Sequence, residues 1–307
     1  MKNSELRNEQ GLTESEFIEK YDPNKYDRPS VTNDVLIFTL GDGEERSNYP
    51  HKKLQLLLIQ RRDHPYIHKW ALPGGFLNMD EDLIQGAYRE LEEETGVTDI
   101  YVEQLGAFGE MYIDKERTIP RDPRTRIITV GNIALIPKDK LKPKAGDDAE
   151  SVMWFSVETE FLGKKVCEDY FTKANILHLS SEDGKIKISY EIEEKITNDA
   201  MRMREVSYSL LDNSTDSLAA DHFKLIFCGL NNIRKEMEYT PIALNLLPET
   251  FTLGELTEVY EAILGREIQN LECKLGDMIV KVSECAYSDD ITSEQLYKLN
   301  AGWEHEL

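Results

Sequence analysis

The stretch ALPGGFLNMDEDLIQGAYRELEEETGV, residues 71–97, places 7 Asp and Glu on one short helix and its approach. That crowding limits what the surrounding chain can be. Between Asp80 and Gly96 the spacing predicts a helix of about four turns, with Ile84, Ala87 and Leu91 forming an apolar stripe suited to packing on a sheet. Glu90, Glu93 and Glu94 fall on a neighbouring face, because side chains three and four apart are adjacent on a helix. They repel one another, and they stand near the C-terminal end, where the helix dipole already disfavours negative charge. Helix stability therefore gives no reason for the arrangement. One reading is an acidic face turned to water, the common fate of a charge run. The other is a site for a hard divalent cation, Mg2+ or Mn2+, which takes oxygen ligands and bridges protein carboxylates to phosphates.

The flanking segments predict an α/β layer structure over residues 31–160. SVTNDVLIFTL and KLQLLLIQRRD are apolar, β-rich runs separated by a polar loop, and IYVEQLGAFGEMY, RIITVGNIALIP and SVMWFSV supply three more strand candidates. Residues 1–30 are polar and carry Pro23 and Pro29, which suggests an arm with a short helix. In residues 161–215 the texture changes: KIKISYEIEEK and REVSYSLLD alternate at period two, with Ile186, Ile188, Tyr190 and Ile192 on one side, as in an antiparallel hairpin between two modules. Residues 216–307 read as a small, mostly helical domain of three helices, AADHFKLIFCGLNNIRKEM, TLGELTEVYEAILG and LECKLGDMIVKV. The middle one starts with a capping box, Thr252 and Glu255, and stops at Gly265.

The formal net charge of −22 repels nucleic acid and anionic lipid unless a local basic patch overrides it. Cys167, Cys228, Cys273 and Cys285 show no paired or metal-ligand spacing, and the polar start MKNSELRNEQ lacks the apolar core of a signal peptide, so the cytoplasm is the expected compartment. No apolar run is long enough to span a bilayer. His51, His64 and His68 show no ligand pattern either.

The wider spacing around the acidic helix is more specific than the acid cluster itself. Gly75, Glu81, Arg89, Glu90, Leu91, Glu93, Glu94, Gly96 and Val97 match G-x5-E-x7-R-E-U-x-E-E-x-G-U at every specified position, U being a bulky aliphatic. On these residues the chain resembles the MutT/Nudix hydrolase family over residues 31–160. The resemblance implies a loop-helix-loop lodged in an α/β/α sandwich with a mixed sheet, acting on a nucleoside diphosphate linked to another moiety. By motif position Glu90 and Glu94 are the principal metal ligands, with Glu93 contributing and the carbonyl of Gly74 completing the set. Glu81 and Arg89 match the family's internal ion pair, which holds the loop against the helix. The metals neutralise the diphosphate and activate water. A further base is open: Glu110, Asp147, Asp148, Glu150 or a glutamate of the helix, with an exposed loop carboxylate as the plain reading of each of the first four.

IQRRDHPYIHKWALPGGF and IPRDPRTRIITVGNIALIP are similar to the branch that holds ADP-ribose pyrophosphatases and the Nudix-related transcriptional regulators of NAD metabolism. In that branch the RDPR-type segment lies beside the ligand, which makes Arg121 and Arg124 candidates for phosphate or ribose. Arg61 and Arg62, at a strand end, are candidates for the same cleft, since planar guanidinium donors suit such oxyanions. Each could equally offset nearby acids. Trp70 either stacks on an adenine or plugs the core.

Residues 218–268 resemble the winged-helix module of those same regulators. The helix expected to enter the DNA groove reads NLECKLGDMIVK, with Glu272 and Asp277 against Lys274 and Lys281. Residues 222–307 hold 7 Lys and Arg against 15 Asp and Glu. Because DNA affinity depends on neutralising phosphates, the first expectation is a Mg2+-dependent hydrolase of ADP-ribose or a related nucleoside diphosphate conjugate. In it the winged helix is retained for packing or for a homodimer, the family's usual state, rather than for DNA. The alternative is an ADP-ribose-sensing DNA-binding regulator of NAD metabolism.

Overall fold

The computed structural model describes residues 6–46, 49–98, 100–114, 117–140, 149–201, 203–282 and 295–303. Asp147, Asp148 and Cys285 lie outside the described residues. Helix α1 (Glu14–Glu19) opens with a Thr13–Glu16 capping box. Then follow β1 (Ser30–Arg46), β2 (Tyr49–Arg61), β3 (Trp70–Ala71), β4 (Gly74–Phe76), α2 (Leu83–Thr95), β5 (Tyr101–Phe108), β6 (Met111–Asp114), β7 (Arg117–Pro120) and β8 (Ile127–Leu135). The chain continues through β9 (Ala149–Val166), β10 (Tyr170–Ser181), β11 (Lys187–Thr197), β12 (Arg204–Leu210) and α3 (His222–Glu236). It ends with β13 (Phe251–Thr252), α4 (Leu253–Leu264), α5 (Leu271–Leu275), β14 (Ile279–Lys281) and β15 (Leu296–Leu299).

The main sheet runs β12-β11-β10-β9-β2-β1-β8-β5, with β3 paired to β2 and β4 to β1. β1 and β8 are parallel, while β1 and β2 are antiparallel, so the sheet is mixed. Strand β1 sits in its middle, and its DVLIF run buries both faces. Val35 and Ile37 pack with Ala87 and Leu91 of α2, while Leu36 and Phe38 pack on the other side with Leu225, Leu230 and Ile233 of α3. Alternation along a strand sends neighbours to opposite faces, and two covered faces require an unbroken apolar run. Ile84, expected in the stripe of α2, is exposed instead. It lies in the first turn of a helix that starts only after Asp82.

The period-two segment does not stand apart as a separate hairpin. Strands β10, β11 and β12 pair antiparallel in continuation of β9, and Ile188, Tyr190 and Ile192 enter the same core as Leu54, Leu56 and Leu58 of β2. That core runs without a break into the C-terminal module, where Leu256, Val259, Tyr260 and Ile263 form the buried stripe of α4. Helix α4 begins at the Thr252–Glu255 capping box and ends at Gly265 in left-handed conformation. The third predicted helix is short. It stops at Gly276, with φ +50, and the β-branched pair Ile279–Val280 continues as β14 in a small sheet ordered β13-β15-β14.

Candidate functional site

Two consecutive glycines bring the backbone against the acidic helix. β4 lies antiparallel to β1 with Asn33 opposite Gly75 and Asp34 opposite Gly74. A Cβ on Gly75 would lie 2.4 Å from Oε1 of Glu90, and one on Gly74 would lie 2.1 Å from the Asn33 carbonyl oxygen. Only bare backbone allows that approach. Helix α2 is fixed at its start by the Gln85 side chain, which accepts from the Asp82 N–H at 2.8 Å, and at its end by Gly96 with φ 67.

The cation that the crowded glutamates call for is partly supplied by the helix itself. Arg89 donates through Nη2 and Nε to the two oxygens of Glu81 at 2.8 and 3.1 Å, and through Nη1 to Glu90 at 2.6 Å. A further bond from Nη2 reaches the Phe76 carbonyl at 3.1 Å, which ties the loop to the helix. These hydrogen bonds hold the Glu81 carboxyl down at about 2 and push Arg89 up. Glu90 moves the other way, because burial raises it more than Arg89 lowers it. Glu90 and Glu94 are buried. Glu93 is the outer one of the three: its side chain is 56% exposed, and its carboxylate lies 3.6 Å from the same Arg89 Nη1 that bonds Glu90.

A cleft of about 120 Å3 opens beside this helix, lined by Asp34, Arg61, Gly74, Gly75, Arg121 and Arg124 among others. Arg62 is outside its lining. Arg61 donates to the Pro65 carbonyl at 2.8 Å. Arg124 grips both oxygens of Asp122 at 3.0 and 2.9 Å and lies 5.4 Å over the Phe76 ring. Trp70 is core, edge-on to Phe155 at 4.9 Å between centroids. Glu110 is engaged by Lys224 of α3 and Glu150 by His68 at 2.8 Å. A larger groove of about 900 Å3 lies elsewhere, lined by Tyr101, Phe251 and Lys298, and holds none of these groups.

Sequence reasoning missed Asp34 and His222, which line the cleft, and Tyr112 and Asp221, which hold its Arg121. Arg121 donates through Nε and Nη2 to Oδ1 of Asp221 at 2.9 and 2.5 Å, and Tyr112 donates to Oδ2 at 2.7 Å. Both charged side chains are only 4% exposed. Burial opposes each charge, but the shared bonds outweigh it, holding Asp221 below the usual carboxylate range and Arg121 above its own. His222 accepts the Leu72 N–H on Nδ1 at 2.8 Å. It is therefore neutral, with Nε2–H turned toward Asp34 at 4.0 Å, and burial lowers its pKa. Asp221 is the cap of α3, and a capping Asp is a visible sequence signal. Nothing local announces that it meets an arginine 100 residues away.

Chemically, carboxylate and carbonyl oxygens at Glu90, Glu94 and Gly74 are the donor class that Mg2+ or Mn2+ takes, and the space kept open by Gly75 fits that use. Among the described residues, no three of His, Cys, Asp and Glu are already gathered into a metal cage. Three arginines on the opposite side of the cleft suit a phosphate chain.

Known proteins show the same combination. The NUDIX domain model matches residues 35–172, and the NrtR DNA-binding winged helix domain matches residues 243–298. The ADPR responsive transcriptional repressor NtrR of Acinetobacter baylyi is 27% identical over 259 residues, covering 84% of this chain and 75% of that protein. The ADP-ribose pyrophosphatase of Methanocaldococcus jannaschii is 30% identical over 166 residues, covering 52% of this chain and 85% of that protein. Among solved structures, a MutT/nudix family protein from Enterococcus faecalis superposes with a TM-score of 0.66 at 27% identity, covering 94% of each chain. Among the described residues no helix is long and apolar enough to cross a membrane.

Proposed function

The chain belongs to the Nudix family, and from that premise we propose that it is an ADP-ribose-responsive regulator. Its Nudix cleft receives the nucleotide, and its winged helix carries the response to DNA. The observation that carries this reading is the composite wall of the cleft. Ala219, Ala220 and His222 line it, and they lead directly into α3, whose Arg234 donates to the Ile263 carbonyl of α4 at 2.8 Å. Likeness to the Acinetobacter repressor, which runs through both modules, supports it.

The acidity of residues 222–307, which argued against DNA, is a sum over the whole module. Glu284, Asp289, Asp290, Glu294, Glu304 and Glu306 contribute to it from outside the described residues. Docking needs only one face, and Arg266, Lys274, Lys281 and Lys298 border α5 and the strands β14 and β15. A gel shift on the DNA upstream of its own coding sequence should show binding that weakens steeply with salt and changes when ADP-ribose is added. Absence of a shift at low salt, with or without ADP-ribose, sinks the regulator. Lys274→Glu should weaken the shift about tenfold or more through lost phosphate contact and added repulsion.

A second reading, hydrolysis of ADP-ribose to AMP and a sugar phosphate, is favoured by one observation, the intact glutamate helix over bare glycine backbone. A divalent cation bound there supplies the Lewis acidity for attack of water on the pyrophosphate. Glu90 and Glu94 with the Gly74 carbonyl would hold it, Arg89 and Glu81 would keep the loop seated, and Arg61, Arg121 and Arg124 would orient the phosphates. AMP release in Mg2+ measures this activity, and Glu94→Gln should lower turnover by roughly two to three orders of magnitude through loss of a charged ligand.

A further inference from the structure

The cleft holds about 120 Å3, well below the roughly 300–1,000 Å3 of a pocket that encloses a ligand. Enclosing a nucleoside diphosphate conjugate there would take the movement of a wall. One wall, formed by Thr32 and Asp34 of β1 and by β4, is part of the main sheet. Others come from Arg61, Pro65 and Tyr66, from Arg121, Asp122 and Arg124, and from the connection 219–222, whose polar links can be named one by one. Ala219 donates its N–H to the Trp70 carbonyl at 2.7 Å, His222 accepts from Leu72, and Asp221 accepts from Arg121 and Tyr112. Ala220 has φ 44, left-handed backbone that an alanine adopts only at a cost. Of these links, one is made to a group that a phosphate also attracts, the Arg121 guanidinium. That cation already faces two carboxylates, Asp221 at 2.5 Å and Asp34 at 3.8 Å, so a phosphate that approaches its Nε–Nη2 edge competes with Asp221 for it.

We infer that Asp221 and the pyrophosphate of the ligand compete for Arg121, and that this exchange is how occupancy of the cleft is passed to α3 and the winged helix. The inference rests on the reading of the chain as an ADP-ribose-responsive regulator. In the empty protein Asp221 holds Arg121 and keeps the start of α3 docked. In the filled protein a phosphate takes the Nε–Nη2 edge, and Asp221, deprived of its buried counter-charge, withdraws with the first turn of the helix. Helix α3 joins that first turn to the rest of the molecule. A Cβ on Gly229 would meet Leu36 Cδ2 at 2.5 Å, so the helix lies tight on β1. Arg234 bonds both Thr159 of β9 and Ile263 of α4 at 2.8 Å. Between Asp221 and Arg234 the lever is about 20 Å long at 1.5 Å per residue.

Competition has a sign that a purely structural role lacks: removing the Asp221 charge should tighten the ligand. Full-length protein is titrated with ADP-ribose by calorimetry in EDTA, so that no hydrolysis intervenes, and amide hydrogen exchange is followed over residues 222–226. In the wild type, saturating ADP-ribose should speed exchange there about tenfold. In Asp221→Asn the ligand should bind about five- to tenfold tighter, with exchange already fast and little changed on binding. Tyr112→Phe, a smaller change that removes one hydroxyl, should act in the same direction at about twofold, and it decides the matter if Asp221→Asn does not fold. Weaker binding in the variants would mean that Asp221 seats Arg121 for the ligand, and competition is overturned. Normal binding with unaltered exchange over 222–226 overturns the coupling while leaving ADP-ribose recognition intact. No heat with the wild type removes the regulator reading and this inference together.

Discussion

Arg89 and Arg121 are each clasped by carboxylates beside the same cleft, yet they are built differently. The partners of Arg89 are Glu81, Glu90 and Glu93, all within eight residues of it, and its side chain is 29% exposed. The main partner of Arg121, Asp221, comes from a distant part of the chain, and both side chains are almost fully buried. The first clasp secures one loop on one helix. The second joins two modules, because neither charge tolerates burial without the other. A short-range cluster thus organises a site, while a long-range one organises the molecule around it.

The sharpest way to break the comparison is to remove each cation in turn. Arg121→Ala leaves Asp221 buried without a counter-charge, and urea unfolding should show a loss of about 3–5 kcal/mol. Arg89→Ala should cost less, since water reaches Glu93 and the rim of the clasp. Next comes the seat of α3: Gly229→Ala forces a methyl against Leu36 and should destabilise by about 1–3 kcal/mol through overpacking, with residual ADP-ribose binding reporting whether the lever alone has shifted.

Acid separates the two clasps more gently. The folded Glu81 carboxyl lies at about 2 against an ordinary 4.5. Its stabilising contribution is therefore complete above the ordinary value and fades as pH falls toward the folded one. Comparing melting temperatures of wild type and Glu81→Gln through that window should show a gap that narrows with acid. A gap independent of pH would mean that the loop is held by the Phe76 carbonyl bond instead. The smallest effect is that of salt. At 1 M the screening length is about 3 Å, so salt should narrow the melting-temperature gap between wild type and Glu81→Gln through the open Arg89 clasp. Arg121→Ala should leave that sensitivity unchanged.

What the sequence disclosed follows the same division. Unbroken apolar runs marked β1 and β2, period-two alternation marked β11, and the capping box and Gly265 marked both ends of α4. The spacing from Gly75 to Val97 located the acidic helix with its glycine floor. Helical periodicity places three glutamates close together without saying which of them faces the protein, and Glu93 is the exposed one. The final predicted helix was misread because LECKLGDMIVK has helical spacing up to Gly276, where a left-handed residue ends it and β-branched side chains turn the chain into a strand. Asp221 showed only as a cap, and Tyr112 and His222 left no trace, since what defines all three is a meeting across the fold rather than any pattern along it.

The way α3 covers the inner face of the sheet has a practical outcome. A fragment ending after Leu210 would present Leu36, Phe38, Leu54, Leu56 and Leu58 to solvent, all of them sealed in the intact chain, and such a stripe of bare leucines adheres to its own kind. The Nudix half and the winged-helix half therefore share one core, and cutting either away bares the apolar face of the other.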